Sequence, residues 1–552
     1  MISKHRAAIK IAPEDNLLVA LRDLSEGETL EINGESIVVR QSIKAKHKIA
    51  GSDFAPGDLA TMYGVVVGET TVEVPKGNAL TTANLTHRSA EFGEKTGNIE
   101  WTPPDVSRWL DRSFLGYHRS NDTVGTANHW LFLPMVFCEE GNLALLREAF
   151  TKALGYERRQ RYHTFAASLA DAYRSGSEEE ALGQVPFPEE EDHPQEPLFP
   201  NVDGVKFLVH GMGCGETRGV SNELCGLLAG YVNHPNVAGA TVLSLGCQHA
   251  QVSILEEEIA KRNPCFDKPL LVYEQHKHAS EREMLENAIR DTFLELRKAN
   301  ELRREPAPLS KLTIGMECGA SDGFSGISSN PVLGRVADLL VAVGGSVILS
   351  EFPELCGVEQ ELVNRCVSPE IGHRFVEIMR NYEARAKEAG SGFHMNPSPG
   401  NVRDGLITDA IKSAGAARKG GTSPVVDVLD YPGWVSQSGL TLLCTAGNDV
   451  ESTTAMAGAG ANLQLFSTGL GTPTGNPVSP IVKVSSNTRT AETFAQYIDF
   501  DTGSVISGEQ SVEALGDDLL DAVVAYASGE KISKSVLSGR DDFLPWKRGI
   551  SL

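Results

Sequence analysis

The sequence of 552 residues is short of positive charge, with 50 Lys and Arg against 73 Asp and Glu, a formal net charge of -23. A general binder of phosphate backbones needs a basic surface, so nucleic acid is not an expected partner. An anionic ligand must be held by a local site, because the overall field repels it. Long apolar runs are also missing. The most apolar stretch, 336–350, is too short for a bilayer and contains Asp338, so it reads as a buried helix and strand, with no membrane partner. Lys4, His5 and Arg6 are followed by Glu14 and Asp15 without an unbroken apolar segment, which excludes a secretory signal as the natural reading. Cysteine is sparse, nine in an odd count with no CxxC pair. That spacing excludes a disulfide scaffold, a zinc ribbon and a thioredoxin motif, and a reducing, cytoplasmic setting is expected. No GxxxxGK[ST] loop occurs, GAGANL at 458–463 lacks a third glycine, and GLGTPTG places Pro473 where a helix should open. Nucleotide and nicotinamide readings therefore have little support.

What is present is an ordinary globular composition, 41% apolar and 22% charged, in a chain long enough for two to four domains. Short alternating runs at 17–21, 29–32, 36–39, 65–67 and 71–74, separated by Gly, Pro and Asp turns, predict an all-β module over 1–100. A polar stretch at 91–108 with Gly93, Gly97, Pro103 and Pro104 reads as a linker. From about 110 the pattern changes to strand-length apolar runs (130–137, 205–211, 240–246, 312–317, 345–351, 440–447) between helical periods. Continuously apolar strands between helices predict parallel sheets covered on both faces. The fold class expected is thus multidomain: a β module at 1–100, an α/β domain at 106–303 and a second α/β domain at 306–552. The acidic, proline-rich segment 175–200, part of an acidic insertion near 150–200, is expected as a surface insertion or mobile loop.

Four cysteines share one position. Cys138, Cys214, Cys247 and Cys318 each fall at or just beyond a predicted strand end, three of them beside glycine. Ligand sites of open parallel sheets lie outside the carboxyl ends of the strands, and a thiolate there suits a soft or borderline metal. A buried small hydrophobe is the competing reading. Cys225, Cys265, Cys356, Cys366 and Cys444 lack the pattern and are taken as structural.

ECGASDGFSGISSNP at 317–331, NPSPGN at 396–401, AGND at 446–449 and STGLGTPTG at 467–475 are crowded with small polar residues. Together they predict a cleft for a polyhydroxylated anion. Among fourteen histidines, His47 (between two lysines) and His210 (four residues before Cys214) stand out as candidate ligands or general bases. His118 and Arg119 precede a turn at 125–128.

These loops closely resemble those of the altronate dehydratase/galactarate dehydratase family. KHKIAGSDFAPGDLATMYGVVVG at 46–68 is similar to that family's SAF (β-clip) module, with Lys46 where the family has glycine. Gln248 stands after Cys247 where the family commonly has Glu. The resemblance implies a β-clip module, a second domain tied to dimerisation and a C-terminal Rossmann-like parallel sheet. It further implies a hydro-lyase that converts D-altronate to 2-dehydro-3-deoxy-D-gluconate and water, dependent on iron as Fe2+ or an iron–sulfur cluster, and a homodimer in hexuronate catabolism. The AGND loop looks altronate-type. The alternatives are a galactarate dehydratase, a related lyase on another hydroxy acid such as a sulfo-lyase, or a noncatalytic sugar-acid-binding protein. On this reading Cys214, Cys247 and Cys318, with Cys138 as a possible fourth, hold the iron. His210 is the base or a ligand, and His47 and Lys48 close over the substrate. Arg119, Asn128, Asp322, Ser325, Asn330, Asn396, Asn448 and Asp449 orient carboxylate and hydroxyls.

Overall fold

The computed structural model describes residues 6–97, 100–157, 161–188, 196–549 and 551. Lys4 and His5, residues 98–99 of the expected linker and 189–195 of the acidic segment lie outside them.

The first region is strand-rich, as its alternating runs predict. Its strands form three small antiparallel sheets, the largest ordered Ala8–Ile9, Leu17–Ala20, Lys48–Ala50, Ala79–Leu80. The hairpin from Thr29–Ile32 to Glu35–Val38 turns at Asn33 and Gly34, both at positive φ, the conformation an Asn-Gly pair adopts cheaply. Alternation splits the apolar residues between two cores. Leu18, Leu30, Ile37 and Ile49 pack inside the module. Leu17, Val19, Met62 and Val67 pack instead against Phe324, Ile327, Leu406 and Ile411 of the C-terminal region. Each such side chain gains about 1.5–3 kcal/mol from burial, so the module is seated firmly.

Two parallel sheets follow. The first is ordered Gly204–Phe207, His129–Pro134, Val237–Ser244, Leu270–Glu274. Its even and odd positions serve different layers: Trp130 and Phe132 meet the helices Glu140–Ala153 and Glu281–Ala299. Leu131 and Leu133 meet the helices Arg218–Asn233 and Val252–Arg262. The second sheet has seven strands, ordered Val425–Leu429, Gly439–Leu443, Ser346–Leu349, Thr313–Cys318, Leu463–Thr468, Ile481–Ser485, Phe500–Asp501. Ile314, Met316, Val347 and Leu349 face the helices Ser329–Ala342 and Val512–Ala527. Ile348 faces a core shared with the helices Asp449–Gly458 and Arg218–Asn233, which packs the two α/β regions together.

The apolar stretch 336–350 is the expected helix followed by a strand. The segment 91–97 is strapped down, not loose: Lys95 Nζ donates to the carbonyl of Cys366 at 2.8 Å. Residues 175–188 contain no buried position, and the preceding helix Arg161–Arg174 buries none either.

Candidate active site

The strand Thr313–Cys318 sits mid-sheet, with Ser346–Leu349 on one side and Leu463–Thr468 on the other. The chain builds outward on the first side before returning to the second. Such a reversal opens a crevice at the carboxyl end of the strands. Into it run Glu317 and Cys318, then Glu351 and Glu354 from the turn after the strand Ser346–Leu349, and Asp449 from the helix Asp449–Gly458. Two non-glycine residues here hold left-handed backbone, Ala320 at φ 50° and Glu351 at φ 62°. Strain of that kind persists only where surroundings over-determine it. The Glu351 N–H donates to Thr445 Oγ1 at 2.8 Å, one of the contacts that does so. Gly319 is required by proximity: a Cβ there would lie 2.2 Å from Asp449 Oδ2.

The charges interlock. Lys419 Nζ, wholly buried, pairs with Glu351 Oε2 at 2.8 Å and contacts Cys318 Sγ at 3.1 Å. Lys412 Nζ pairs with Glu354 Oε1 at 2.6 Å and donates to Asn396 Oδ1 at 2.8 Å. The Cys318 thiol donates to Glu354 Oε2 at 3.2 Å, and Ser452 Oγ to Glu317 Oε2 at 2.7 Å. Four acids therefore meet two lysines. The excess shows in their acidities: burial, then the Glu351 charge, pushes Glu317 far above the carboxylate range. Burial with Glu351 and Glu354 lifts Asp449 to about 7. Glu317, Glu351 and Asp449 each bring a carboxylate oxygen within 4.8 Å of the others, and Glu317 Oε1 and Glu351 Oε1 have no hydrogen-bond partner. Unpaired buried oxygens facing one another suit either shared protons or a divalent cation.

The β module supplies one wall of the neighbouring polar recess through Tyr63. Lys46 takes the left-handed φ of 75° that glycine would occupy, so the turn survives the replacement. Its Nζ pairs with Asp322 Oδ2 at 2.9 Å and Asp404 Oδ1 at 3.2 Å. His47 Nε2 lies 3.1 Å from the Arg403 carbonyl, and burial lowers its pKa, so the ring is neutral near pH 7. With Nε2 donating, Nδ1 holds the lone pair. Lys48 Nζ is wholly buried, donating to the carbonyls of Gly405 at 2.7 Å and Lys46 at 3.0 Å, and burial drops its pKa to about 7.

Other expected site residues divide. Asp322 accepts from Ser325 Oγ and Ser486 Oγ, both at 2.9 Å, and Asn330 Nδ2 donates to the Gly415 carbonyl; Asp322, Ser325 and Asn330 border one polar recess with Lys412 and Tyr63. Asn396 keeps its Nδ2 unpartnered beside Lys412. Asn448 caps the helix that carries Asp449. Arg119 and Asn128 do not join them. Asn128 precedes the strand His129–Pro134, at the opposite end from the strand termini that form sites. It is wholly buried, takes Arg119 Nη2 at 3.0 Å and ties the Asn201 carbonyl, so the pair is bound up in structural bonds.

The loops carrying Cys138, Cys214 and Cys247 do converge on one edge of the four-stranded sheet, where the Phe137 N–H meets the Met212 carbonyl and Ala250 N–H the Gly213 carbonyl. Cys318 lies on the other sheet, among Glu351, Glu354 and Lys419. Among the described residues, no trio of ligand atoms within 4.8 Å includes Cys138, Cys214 or Cys247. His210 spends both ring nitrogens on backbone, Nε2 on the Pro134 carbonyl at 2.7 Å and Nδ1 on the Met212 N–H at 3.1 Å. Gln248 spans its own loop, from Ser244 Oγ to the Gly246 N–H. Glu317, Glu351, Glu354, Lys412 and Lys419 were not singled out from sequence. The available signal was an acid closing each of two apolar runs, at 317 and 351.

Buried acids held protonated near neutrality, with Lys412 reaching from them to a polar recess lined by Asp322, Ser325 and Asn330, define an acid–base enzyme class acting on a small polar ligand. Family models match the chain in three pieces: the altronate/galactarate dehydratase SAF domain over 6–88, the D-galactarate dehydratase/altronate hydrolase second domain over 116–300, and the D-galactarate/altronate dehydratase C-terminal domain over 309–551. An altronate dehydratase of Bacillus subtilis (strain 168) is 31% identical over 99% of this chain and 100% of its own length. An altronate dehydratase of Escherichia coli (strain K12) is 30% identical over 99% of both. A galactarate dehydratase (L-threo-forming) of the same strain is 32% identical over 54% of this chain and 58% of its own. The chain belongs to the altronate/galactarate dehydratase family.

Proposed function

We propose that the protein is a sugar-acid dehydratase that eliminates water from D-altronate to give 2-dehydro-3-deoxy-D-gluconate. The observation that carries this is the coincidence of full-length similarity to altronate dehydratases with a buried acid cluster at the carboxyl end of the seven-stranded sheet. The proton on carbon 2 is only weakly acidic, because its removal adds charge beside a carboxylate. His47, neutral and with Nδ1 as acceptor, is the group proposed to take it. The hydroxyl on carbon 3 must leave protonated. Asp449, held near neutrality by burial, is the proposed donor. Lys412 and the unpartnered Asn396 Nδ2 would orient the substrate carboxylate, and Asp322, Ser325 and Asn330 would shape the recess for its hydroxyls.

Iron is part of the same reading. The oxygens of Glu317 and Glu351 fit a divalent ion, because each is buried with no other partner, and Asp449 stands beside them. Bound there, ferrous iron would supply Lewis acidity that stabilises the enediolate. The cysteine set gives weaker support, since Cys318 is parted from the other three. A homodimeric, cytoplasmic enzyme of hexuronate breakdown completes the proposal, with the seven-stranded sheet as a Rossmann-like variant. None of the described helices is long and apolar enough to cross a membrane.

The test is an anaerobic preparation with ferrous iron, offered altronate, galactarate and other aldonates and aldarates, with release of 2-keto acid as readout. Turnover of altronate above all others is expected. Preference for galactarate would transfer the assignment within the family, and binding without turnover would reduce the protein to a sugar-acid receptor. Iron content should fall in Glu351→Gln and persist in Cys214→Ala; the reverse pattern would return the metal to the cysteines.

A further inference from the structure

A second ligand set adjoins the carboxylate cluster but uses none of its residues. His87 follows the module's last strand, Leu85–Thr86. Cys356 follows the turn Phe352–Leu355, and Asp409 opens the helix Asp409–Ala417. A ring nitrogen, the Sγ and a carboxylate oxygen from these three all lie within 4.8 Å of one another. His87 Nδ1 and Asp409 Oδ2 are buried without a hydrogen-bond partner, in residues of which Asp409 is 1% exposed. Native folds rarely leave such atoms unanswered. The Cys356 thiol also meets this carboxyl, and Asp409 Oδ1 receives a long bond from Ser413 Oγ at 3.4 Å.

We infer that His87, Cys356 and Asp409 bind one divalent transition-metal ion of the zinc class, which staples the β module to the C-terminal region. The donor chemistry selects the ion. One imidazole, one thiol and one carboxylate exclude calcium and magnesium, which take oxygen, and match zinc or cobalt with a fourth place for water. Neutral imidazole, thiolate and carboxylate carry two negative charges, which a divalent ion neutralises. Burial supports the same protonation logic: it lowers His87 to its neutral form, and lifts Asp409 to about 8 and the Cys356 thiol further, so the apo site holds two protons that the metal would replace. Glu359, fastened to the Gly357 N–H at 2.6 Å, adds negative field from outside the trio. Because the three ligands come from both sides of the seam, occupancy would fix the wall that carries His47.

The experiment is titration of the chelator-stripped full-length protein with Co2+ and then Zn2+. One equivalent of cobalt should produce a thiolate-to-metal charge-transfer band with tetrahedral d–d absorption, release about two protons near pH 7, and be displaced by zinc. Cys356→Ser should lose the band. His87→Gln, with unchanged circular dichroism, should weaken cobalt binding by about tenfold or more. Cys318→Ser should keep the band, which separates this site from the other buried thiol. No band in the parent protein, an undiminished band in Cys356→Ser, or its loss in Cys318→Ser would overturn the assignment. His87→Gln with parental affinity would overturn it too, and that variant stands even if Cys356→Ser fails to fold.

Discussion

Lys419→Met is the most severe test of the charge network at the sheet edge. Lys419 and Glu351 are both wholly buried and 2.8 Å apart. At an effective dielectric near 20, unit charges at that distance attract by about 6 kcal/mol, most of which offsets the cost of bringing them out of water. Removing only the lysine abandons a buried carboxylate, for which the expected loss is about 3–5 kcal/mol. Urea unfolding followed at the C-terminal region should show it, and Lys419→Met combined with Glu351→Gln should recover most of it. The pH dependence gives an independent sign. Burial already raises Glu351 in the folded protein, and without Lys419 it rises further. A carboxyl whose folded pKa is raised stabilises below its unfolded value, near 4.5, and loses that stabilisation as pH climbs through the folded value. The variant should therefore approach the parent near pH 5 and diverge above it. A loss under about 1 kcal/mol, or a double variant no better than the single, would refute the view of this pair as a true buried ion pair.

Lys48 gives a second stability signature. Its pKa falls from an ordinary 10.5 to about 7, so between those values the unfolded chain binds the extra proton and stability rises with pH; Lys48→Met should flatten that rise in urea titrations. The pH profile of kcat/KM should climb through a value below 6.5 as His47 loses its proton and decline at higher pH as Asp449 ionises, and the residual turnover of Asp449→Asn should lack the decline. Gly319→Ala drives a methyl to within 2.2 Å of Asp449 Oδ2, and turnover should drop at least about tenfold with circular dichroism intact.

Sequence periodicity locates the strand-rich start and most of the sheet strands, because alternation and unbroken apolar runs report directly on one or two covered faces. Besides Leu270–Glu274, Val425–Leu429 and Phe500–Asp501, it misses Leu463–Thr468 and Ile481–Ser485, whose Gln464, Ser467, Thr468, Lys483 and Ser485 are buried polar residues that interrupt the apolar run. The site is legible where small residues cluster, as at Asp322 and Asn396. It is hidden where long charged side chains from helices arrive at depth: Lys412 and Lys419 look like ordinary solvated positions in IKSAGAARKGG until the fold buries them against Glu354 and Glu351. Arg119 and Asn128 mislead for the opposite reason. A polar pair beside a turn reads as a binding surface, yet it serves to close one end of a sheet.

Lys48 and Gly405, whose carbonyl Lys48 holds, are 357 residues apart. At synthesis rates of about 5–20 residues per second, the N-terminal strands emerge roughly 20–70 s before the loop that covers this amine. Throughout that interval Lys48 has no reason to differ from any solvated lysine. Its depressed acidity is thus a property acquired late, only once the ribosome has delivered the far loop and the early module has waited to meet it.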